Sequence, residues 1–372
     1  MKITLEASPI LHTLTGIGRY TWELATRLPH HPMVKELNLY VRNEMVRDPN
    51  KIIQMGKEVK TYPLWSKPLR LTSRYLKKRH ALHVCQNSLV HGPNYFLPSC
   101  SDSGIITVHD LSIYRYPQTH PIERIQQFEK NFEDTLKRTK HIITDSEAMK
   151  REIIELLGWS EDKISVVLLG VSSEFVPRSF THHDFLEKYS LRAEGYSLCV
   201  ATIEPRKNID KLVAAYKVLP RALRERFPLV IIGAIGWNSD EIIGQIEEGV
   251  REGWVIRPGF VSDEELVLFY QHTKLFVYPS AYEGFGLPVA EAMACGVPVI
   301  ISNRTSLPEV ANGTALIIEP DNHEEFVSAL HKGLEDEAWR LNVIADGIEK
   351  AKRYTWEQCV DETVKIYSSF NR

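Results

Sequence analysis

At 372 residues, with 43% hydrophobic and 25% charged, the chain has an ordinary globular composition and is too long for one domain of roughly 100–200 residues. A formal net charge of −3 excludes the basic balance of a whole-surface nucleic-acid binder, so no nucleic-acid partner is expected. The five cysteines stand singly, which argues against a zinc site and suits a reducing cytoplasm better than a disulfide framework.

The chain starts with an early acid, Glu6, and no long apolar run, unlike a signal peptide. Short apolar runs at 3–7, 37–41, 105–108, 141–144 and 164–168 read as buried strands. Helical patterns at 19–28 and 122–138 lie between them. Around 171–190 the period fails, with Pro177 and the adjacent His182 and His183, and this stretch is read as a linker. A second alternating series follows, with strands at 196–201, 229–233, 254–257, 275–278, 297–301 and 315–318. Its helices fall at 208–219, 241–251, 263–271, 288–294 and 324–334. The end, 356–370, patterns as a helix with Val360, Val364 and Tyr367 on one face. No stretch approaches the roughly 18 apolar residues of a spanning helix, so any membrane contact should be peripheral. The expected organisation is an α/β domain over 1–170, the linker 171–190 and a second α/β domain over 191–354. The segment 355–372 is counted apart, with a return to the first domain left open. Open parallel sheets bind ligands beyond the carboxyl ends of their strands, so two such domains should bind across a cleft between those ends.

Four constellations could carry chemistry. In Thr13-Leu14-Thr15-Gly16-Ile17-Gly18-Arg19, Gly16 and Gly18 open the first helix, where a backbone can approach an anion; a plain strand-to-helix turn reads equally well. In Val108-His109-Asp110, the His–Asp pair at a strand end could orient a polar substrate, or His109 could be a buried histidine bonded to backbone. In Glu204-Pro205-Arg206-Lys207-Asn208, two cations at a helix start oppose the helix dipole unless an anion such as a diphosphate arrives; a solvated charge cluster is the plainer alternative. In Glu283-Gly284-Phe285-Gly286-Leu287-Pro288-Val289-Ala290-Glu291, the Gly-Phe-Gly loop offers backbone N–H groups at a helix start. Glu283 can accept from sugar hydroxyls, and Glu291 suits a ribose diol. No Asp-x-Asp occurs to hold a metal on a diphosphate, and the missing G-x-x-x-x-G-K-[ST] loop argues against an ordinary ATPase; no metal or other cofactor is expected.

These runs resemble glycosyltransferase family 4, of the GT-B fold, and most resemble bacterial O-antigen mannosyltransferases. The resemblance also rests on Ala201-Thr202-Ile203, His91-Gly92-Pro93-Asn94 and Thr144-Asp145-Ser146-Glu147, all in the family's order. It implies two Rossmann-like domains facing each other across a cleft, and a nucleotide diphosphate sugar donor. It also implies transfer with retention and no metal. By position, Gly16 and Gly18 would lie near the donor phosphate and the acceptor, and His109 beside the donor sugar. Arg206 and Lys207 would stabilise the leaving diphosphate. Glu283 and the backbone of Phe285, Gly286 and Leu287 would hold the sugar, and Glu291 the ribose. Many members carry an arginine right after the strand, where this chain has Thr202, so the division of labour among Arg206, Lys207 and the more distant Lys211 is open. Arg19 and Asp110 are the acceptor-side candidates.

The implied donor is GDP-mannose, and the implied acceptor is a glycan or lipid-linked glycan of surface polysaccharide synthesis. A non-catalytic nucleotide-sugar-binding module, or an epimerase or phosphorylase on the same fold, are the rival readings. Residues 67–79 hold Lys67, Arg70, Arg74, Lys77, Lys78 and Arg79 and no acid, so a helix there could touch an anionic membrane surface weakly. The expected location is the cytoplasm, with contact at the inner face of the membrane left open.

Overall fold

The computed structural model describes residues 1–11, 14, 16–57 and 67–370, and the side chains of all of these but 67–74. The described residues form two compact units. One comprises Met1–Leu111, Glu123–Leu169 and Trp356–Arg372, and the other Ser112–Ile122 and Gly170–Thr355.

In the first unit, the described strands are β1 (Lys2–Glu6), β2 (Glu36–Val41), β3 (Glu44–Val46), β4 (Leu89–Gly92), β5 (Gly104–Val108), β6 (Thr139–Thr144) and β7 (Ile164–Val166). They join in the order β3-β2-β1-β4-β5-β6-β7. All neighbours are parallel except β3, which folds back on β2. The bend at Arg42 and Asn43 has φ of 49° and 68°, the twist that a two-residue hairpin favours. Ile3, Leu5, Ile105, Ile106, Ile142 and Ile143 are fully buried, as a parallel sheet with helices on both faces requires. Burying such a side chain contributes about 1.5–3 kcal/mol. The described helices are α1 (Ile17–Arg27), α2 (Pro49–Lys57), α3 (Lys67–Gln86), α4 (Ser112–Arg115, in the second unit), α5 (Ile122–Arg138) and α6 (Glu147–Leu157).

The second unit has β8 (Ser197–Val200), β9 (Leu229–Ile232), β10 (Val255–Ile256), β11 (Leu275–Tyr278), β12 (Val299–Ser302) and β13 (Ala315–Ile318), in the parallel order β10-β9-β8-β11-β12-β13. Its helices are α7 (His183–Lys188), α8 (Ile209–Lys217), α9 (Arg221–Arg226), α10 (Asp240–Arg251), α11 (Asp263–His272), α12 (Leu287–Ala294), α13 (Leu307–Ala311), α14 (His323–Glu335) and α15 (Glu337–Ala351). The last helix, α16 (Trp356–Phe370), belongs to the first unit. There Tyr367 OH meets Nδ1 of the buried His91 at 2.6 Å.

Both sheets change direction beside their first strand, between β1 and β4 and between β8 and β11. Such switch points are where open α/β sheets bind ligands, beyond the carboxyl ends of the strands.

Several expectations are corrected. Residues 171–190, read as a linker, are part of the second unit; they contain α7 and bury Phe175, Phe185 and Leu186. Ser112–Ile122, placed in the first domain, groups with the second unit, where Tyr116 OH donates to Ala281 O at 3.3 Å. Cys85 and Cys100 are disulfide-bonded, not single thiols, because β4 and its loop bring their Cα atoms to 6.1 Å. Among the described residues, no helix is long and apolar enough to cross a membrane.

Candidate functional site

In the second unit, the loop after β8 enters a 3-10 turn, Pro205–Lys207. Arg206 and Lys207 therefore precede α8 instead of occupying its first turn, with Asn208 at φ 51° between. Asn208 Nδ2 donates to Pro279 O at 2.9 Å, and Ala281 N donates to Arg206 O at 2.8 Å. The loops after β8 and β11 are thereby stitched together at the switch point.

Lys207 is buried and ion-paired with Glu283 Oε1. Tyr278 OH donates to the same oxygen at 2.8 Å and lies 3.4 Å from Lys207 Nζ. Burial pushes the Glu283 carboxyl up, but Lys207, then Arg206, outweigh it and hold the group below its ordinary value. Arg206 gives Nε and Nη2 to Glu204 Oε1 at 3.1 and 2.7 Å, and Nη1 to Tyr282 O at 2.7 Å. The sequence argument treated both cations as opposing a helix dipole. The structure instead balances each with a carboxylate and fixes both in place. Lys211, on α8, turns to Asp321 at 2.5 Å. With Arg206, Arg304 and Tyr116 it lines a pocket of about 470 Å³.

Gly286 caps α12 at φ 101°, and a Cβ there would stand 2.5 Å from Leu307 Cδ2, so only glycine fits. Pro288 takes the second helical position. Phe285 is buried edge-on to Tyr354, with ring centres 5.4 Å apart. Ser306 Oγ donates to the carbonyls of Glu283 and Phe285 at 3.0 and 2.8 Å, and Glu283 N donates to Thr305 Oγ1 at 3.0 Å. The loop is thus held from the start of α13. Glu291 is buried, and its charge, after burial itself, pushes the Tyr270 hydroxyl well above its ordinary value.

In the first unit, Gly16 caps α1 at φ 41°, and nothing lies within 4 Å of where a Cβ would stand. Gly18 is buried in the first turn and Arg19 is half-buried beside it; Thr13 and Thr15 fall outside the described residues. His109 follows β5 and is buried. Its Nδ1 lies 2.6 Å from Asp145 Oδ2 and its Nε2 2.8 Å from Pro93 O. The Tyr20 ring meets it edge-on at 4.9 Å. The neighbouring Asp110 is half-buried, and its N donates to Tyr95 OH at 3.3 Å.

The sequence reading assigned no role to several of these residues. Tyr278 hid as the last residue of an apolar strand, and Glu204 as one more loop acid. Glu6 closes β1 at the first unit's switch point. Burial pushes its carboxyl up to about 7, with Ser8 N donating to it at 3.1 Å. Ile235 and Trp237 after β9, and Phe260 after β10, are exposed large apolar side chains, Phe260 at 89%. Their place at the carboxyl edge of an open parallel sheet was the available signal.

The chain matches two family profiles, "Glycosyltransferase Family 4" over residues 14–175 and "Glycosyl transferases group 1" over residues 187–352. It is 38% identical to O-antigen chain mannosyltransferase B of Escherichia coli over 379 residues, covering 99% of each chain. Among solved structures it is similar to sucrose-phosphate synthase from Thermosynechococcus elongatus, with a TM-score of 0.73, 19% identity and coverage of 99% and 98% of the two chains. It is also similar to WaaG, a glycosyltransferase involved in lipopolysaccharide biosynthesis, with a TM-score of 0.69, 14% identity and coverage of 97% and 99%. Those two likenesses show the GT-B fold.

Proposed function

Because the chain belongs to glycosyltransferase family 4, we propose that it moves mannose from GDP-mannose, with retention and without a metal ion, onto a glycan or lipid-linked glycan in O-antigen synthesis. The full-length likeness to an O-antigen chain mannosyltransferase supports the choice of sugar and of process. The observation that carries the mechanism is the buried Lys207–Glu283–Tyr278 cluster beside Arg206, at the switch point of the second unit.

Glycosyl transfer breaks the bond between the anomeric carbon and the diphosphate, and negative charge builds on the leaving oxygen. Lys207 and Arg206 supply positive charge that needs no reorganisation, which is where such a site has most effect. Glu283 stays ionised against Lys207 and accepts hydrogen bonds from sugar hydroxyls. Since its carboxylate is already engaged by Lys207 and Tyr278, it is not assigned as a covalent nucleophile. The acceptor oxygen attacks from the face that the diphosphate leaves, and the diphosphate takes its proton. Glu291 holds the ribose, and Trp237 and Phe260 offer apolar faces for the base. His109 and Asp110, with Gly16, Gly18 and Arg19, serve the sugar and the acceptor from the first unit.

A panel of nucleotides and nucleotide sugars tests the donor by thermal protection. At a hundredfold excess over Kd a ligand stabilises by about 2.7 kcal/mol. GDP and GDP-mannose should protect; protection by uridine nucleotides alone would overturn the donor. Transfer should survive excess EDTA, and loss restored by Mn²⁺ or Mg²⁺ would overturn the metal-free reading. NMR of the product linkage reads retention directly.

A further inference from the structure

The runs His91-Gly92-Pro93-Asn94 and Thr144-Asp145-Ser146-Glu147 have no part in the donor machinery above, yet both close on His109. Their meeting is set by strand register. Val108 on β5 pairs with Thr144 on β6, so the residues that follow, His109 and Asp145, emerge side by side. Thr144 Oγ1 donates to Val108 O at 2.8 Å and locks that pairing. Ser146 caps α6 through Met149 N at 3.1 Å, which fixes the chain on the far side of Asp145. On β4, Gly92 pairs with Ile106 of β5, and the carbonyl of the next residue, Pro93, reaches His109 Nε2.

The two partners of the imidazole are a carboxylate oxygen at 2.6 Å and a backbone carbonyl at 2.8 Å. Neither can donate a hydrogen bond. A neutral imidazole carries one N–H and one lone pair, so it satisfies only one of them. With Asp145 ionised, both nitrogens must carry hydrogen. We propose that Asp145 is a positioning residue that holds His109 as an imidazolium, a fixed cation of the first unit whose ring nitrogens are both spent inside the fold. His109 therefore offers substrate its charge and its backbone, and does not shuttle the acceptor's proton.

The surroundings agree. Burial works against the charge, but Asp145, then the Pro93 carbonyl and Asp110, raise His109 above its ordinary value. From β4, His91 faces it as a neutral ring, pushed down to about 3 by burial and then by His109's charge. Its nitrogens meet Tyr367 OH and Thr107 Oγ1. Tyr20 from α1, Tyr95 from the loop after β4 and Cys359 from α16 are all pushed well above their ordinary values by burial, and stay neutral at physiological pH. Among the described residues, the charged groups that face the ring are thus Asp145 and Asp110. Among the same residues, Asp145 Oδ1 is buried with no hydrogen-bond partner; burial raises this carboxyl above its ordinary value, and His109, by its charge and its hydrogen bond, opposes that rise.

The test uses the full chain labelled with ring-¹⁵N histidine, with the His109 signals assigned by their loss in His109→Gln. Both nitrogens should stay protonated above histidine's ordinary titration range. A singly protonated His109 at neutral pH would overturn the proposal whatever the donor proves to be. In Asp145→Asn the amide still accepts from Nδ1 but carries no charge. The alkaline limb of the kcat profile should then move down by about one to three pH units, with nucleotide affinity unchanged. A limb that stays in place, with the imidazolium intact, would equally refute it. If Asp145→Asn fails to fold, the spectrum of the parent protein decides alone.

Discussion

Replacing Lys207 by alanine removes one half of a buried ion pair, and its two effects separate with pH. The ammonium and the Glu283 carboxylate have side chains only 9% and 12% exposed. Deleting one partner of such a pair costs about 3–5 kcal/mol, because the other charge is left buried. Tyr278 OH still donates to Glu283 at 2.8 Å, which points to the lower figure. About 3 kcal/mol corresponds to a fall in Tm of about 6–12 °C for a unit of roughly 150–250 residues. The sign with pH follows from Glu283. Its folded value is depressed, so it stabilises above its unfolded value, and that contribution is lost as pH falls through the folded one. Without Lys207, burial raises the carboxyl instead. The gap in Tm between parent and variant should therefore narrow as pH drops from about 8 to about 4, the ordinary carboxyl range. Turnover should fall about 10²–10³-fold, the typical effect of deleting one preorganised donor to a developing anion. Calorimetric melts across that pH range, and single-turnover release of the nucleoside diphosphate, measure the two separately. Unchanged turnover would remove Lys207 from the mechanism, and a gap in Tm that ignores pH would show that the pair does not carry charge.

Two further predictions concern roles. Glu291→Gln should weaken calorimetric binding of the free nucleoside diphosphate, whereas Glu283→Gln should leave that binding intact and lower kcat; the opposite pattern would exchange the two assignments. The basic helix α3 exposes Tyr75 and Leu76 beside Lys77, Lys78 and Arg79, with Lys77 paired to Glu44 at 2.7 Å; the side chains of Lys67, Arg70 and Arg74 fall outside the described residues. Replacing Arg70, Arg74, Lys77 and Lys78 by Gln should abolish co-sedimentation with anionic vesicles at low salt, at about 1 kcal/mol per residue, and unchanged sedimentation would move the contact elsewhere.

Much of the architecture was legible because a parallel strand is a short apolar run and a surface helix an amphipathic one. β11 and β13 fall on the expected residues, as do α5 and α16. β4 and β3 escaped for physical reasons. Leu89–Gly92 is only four residues long and includes a histidine, whose burial depends on Tyr367, distant in sequence. Glu44–Val46 exists because a two-residue turn folds it back on β2, and its own pattern is too short to read. At the site, the glycine loop and the two glutamates stood out by spacing. The pairing of Lys207 with Glu283, and of His109 with Asp145, did not, because a sequence shows charges without showing which loops meet. For the same reason, a pair of compensated cations read as two cations awaiting an anion.

The placement of α16 bears on how the protein is made. Its Trp356, Val364 and Tyr367 are buried in the first unit, and Tyr367 reaches His91 across 276 positions of sequence. On a ribosome, the first unit's sheet emerges early but lacks this helix until all of Gly170–Thr355 has been synthesised. That interval is roughly ten to forty seconds at about 5–20 residues per second. Throughout it, the apolar surface that Trp356 and Val364 later cover stays open to chaperones. The second unit, contiguous apart from Ser112–Ile122, can close while the first is still waiting. The half of the chain translated first is thus the last to be completed, and a nascent chain stalled before Trp356 should be captured by chaperones through its amino-terminal half.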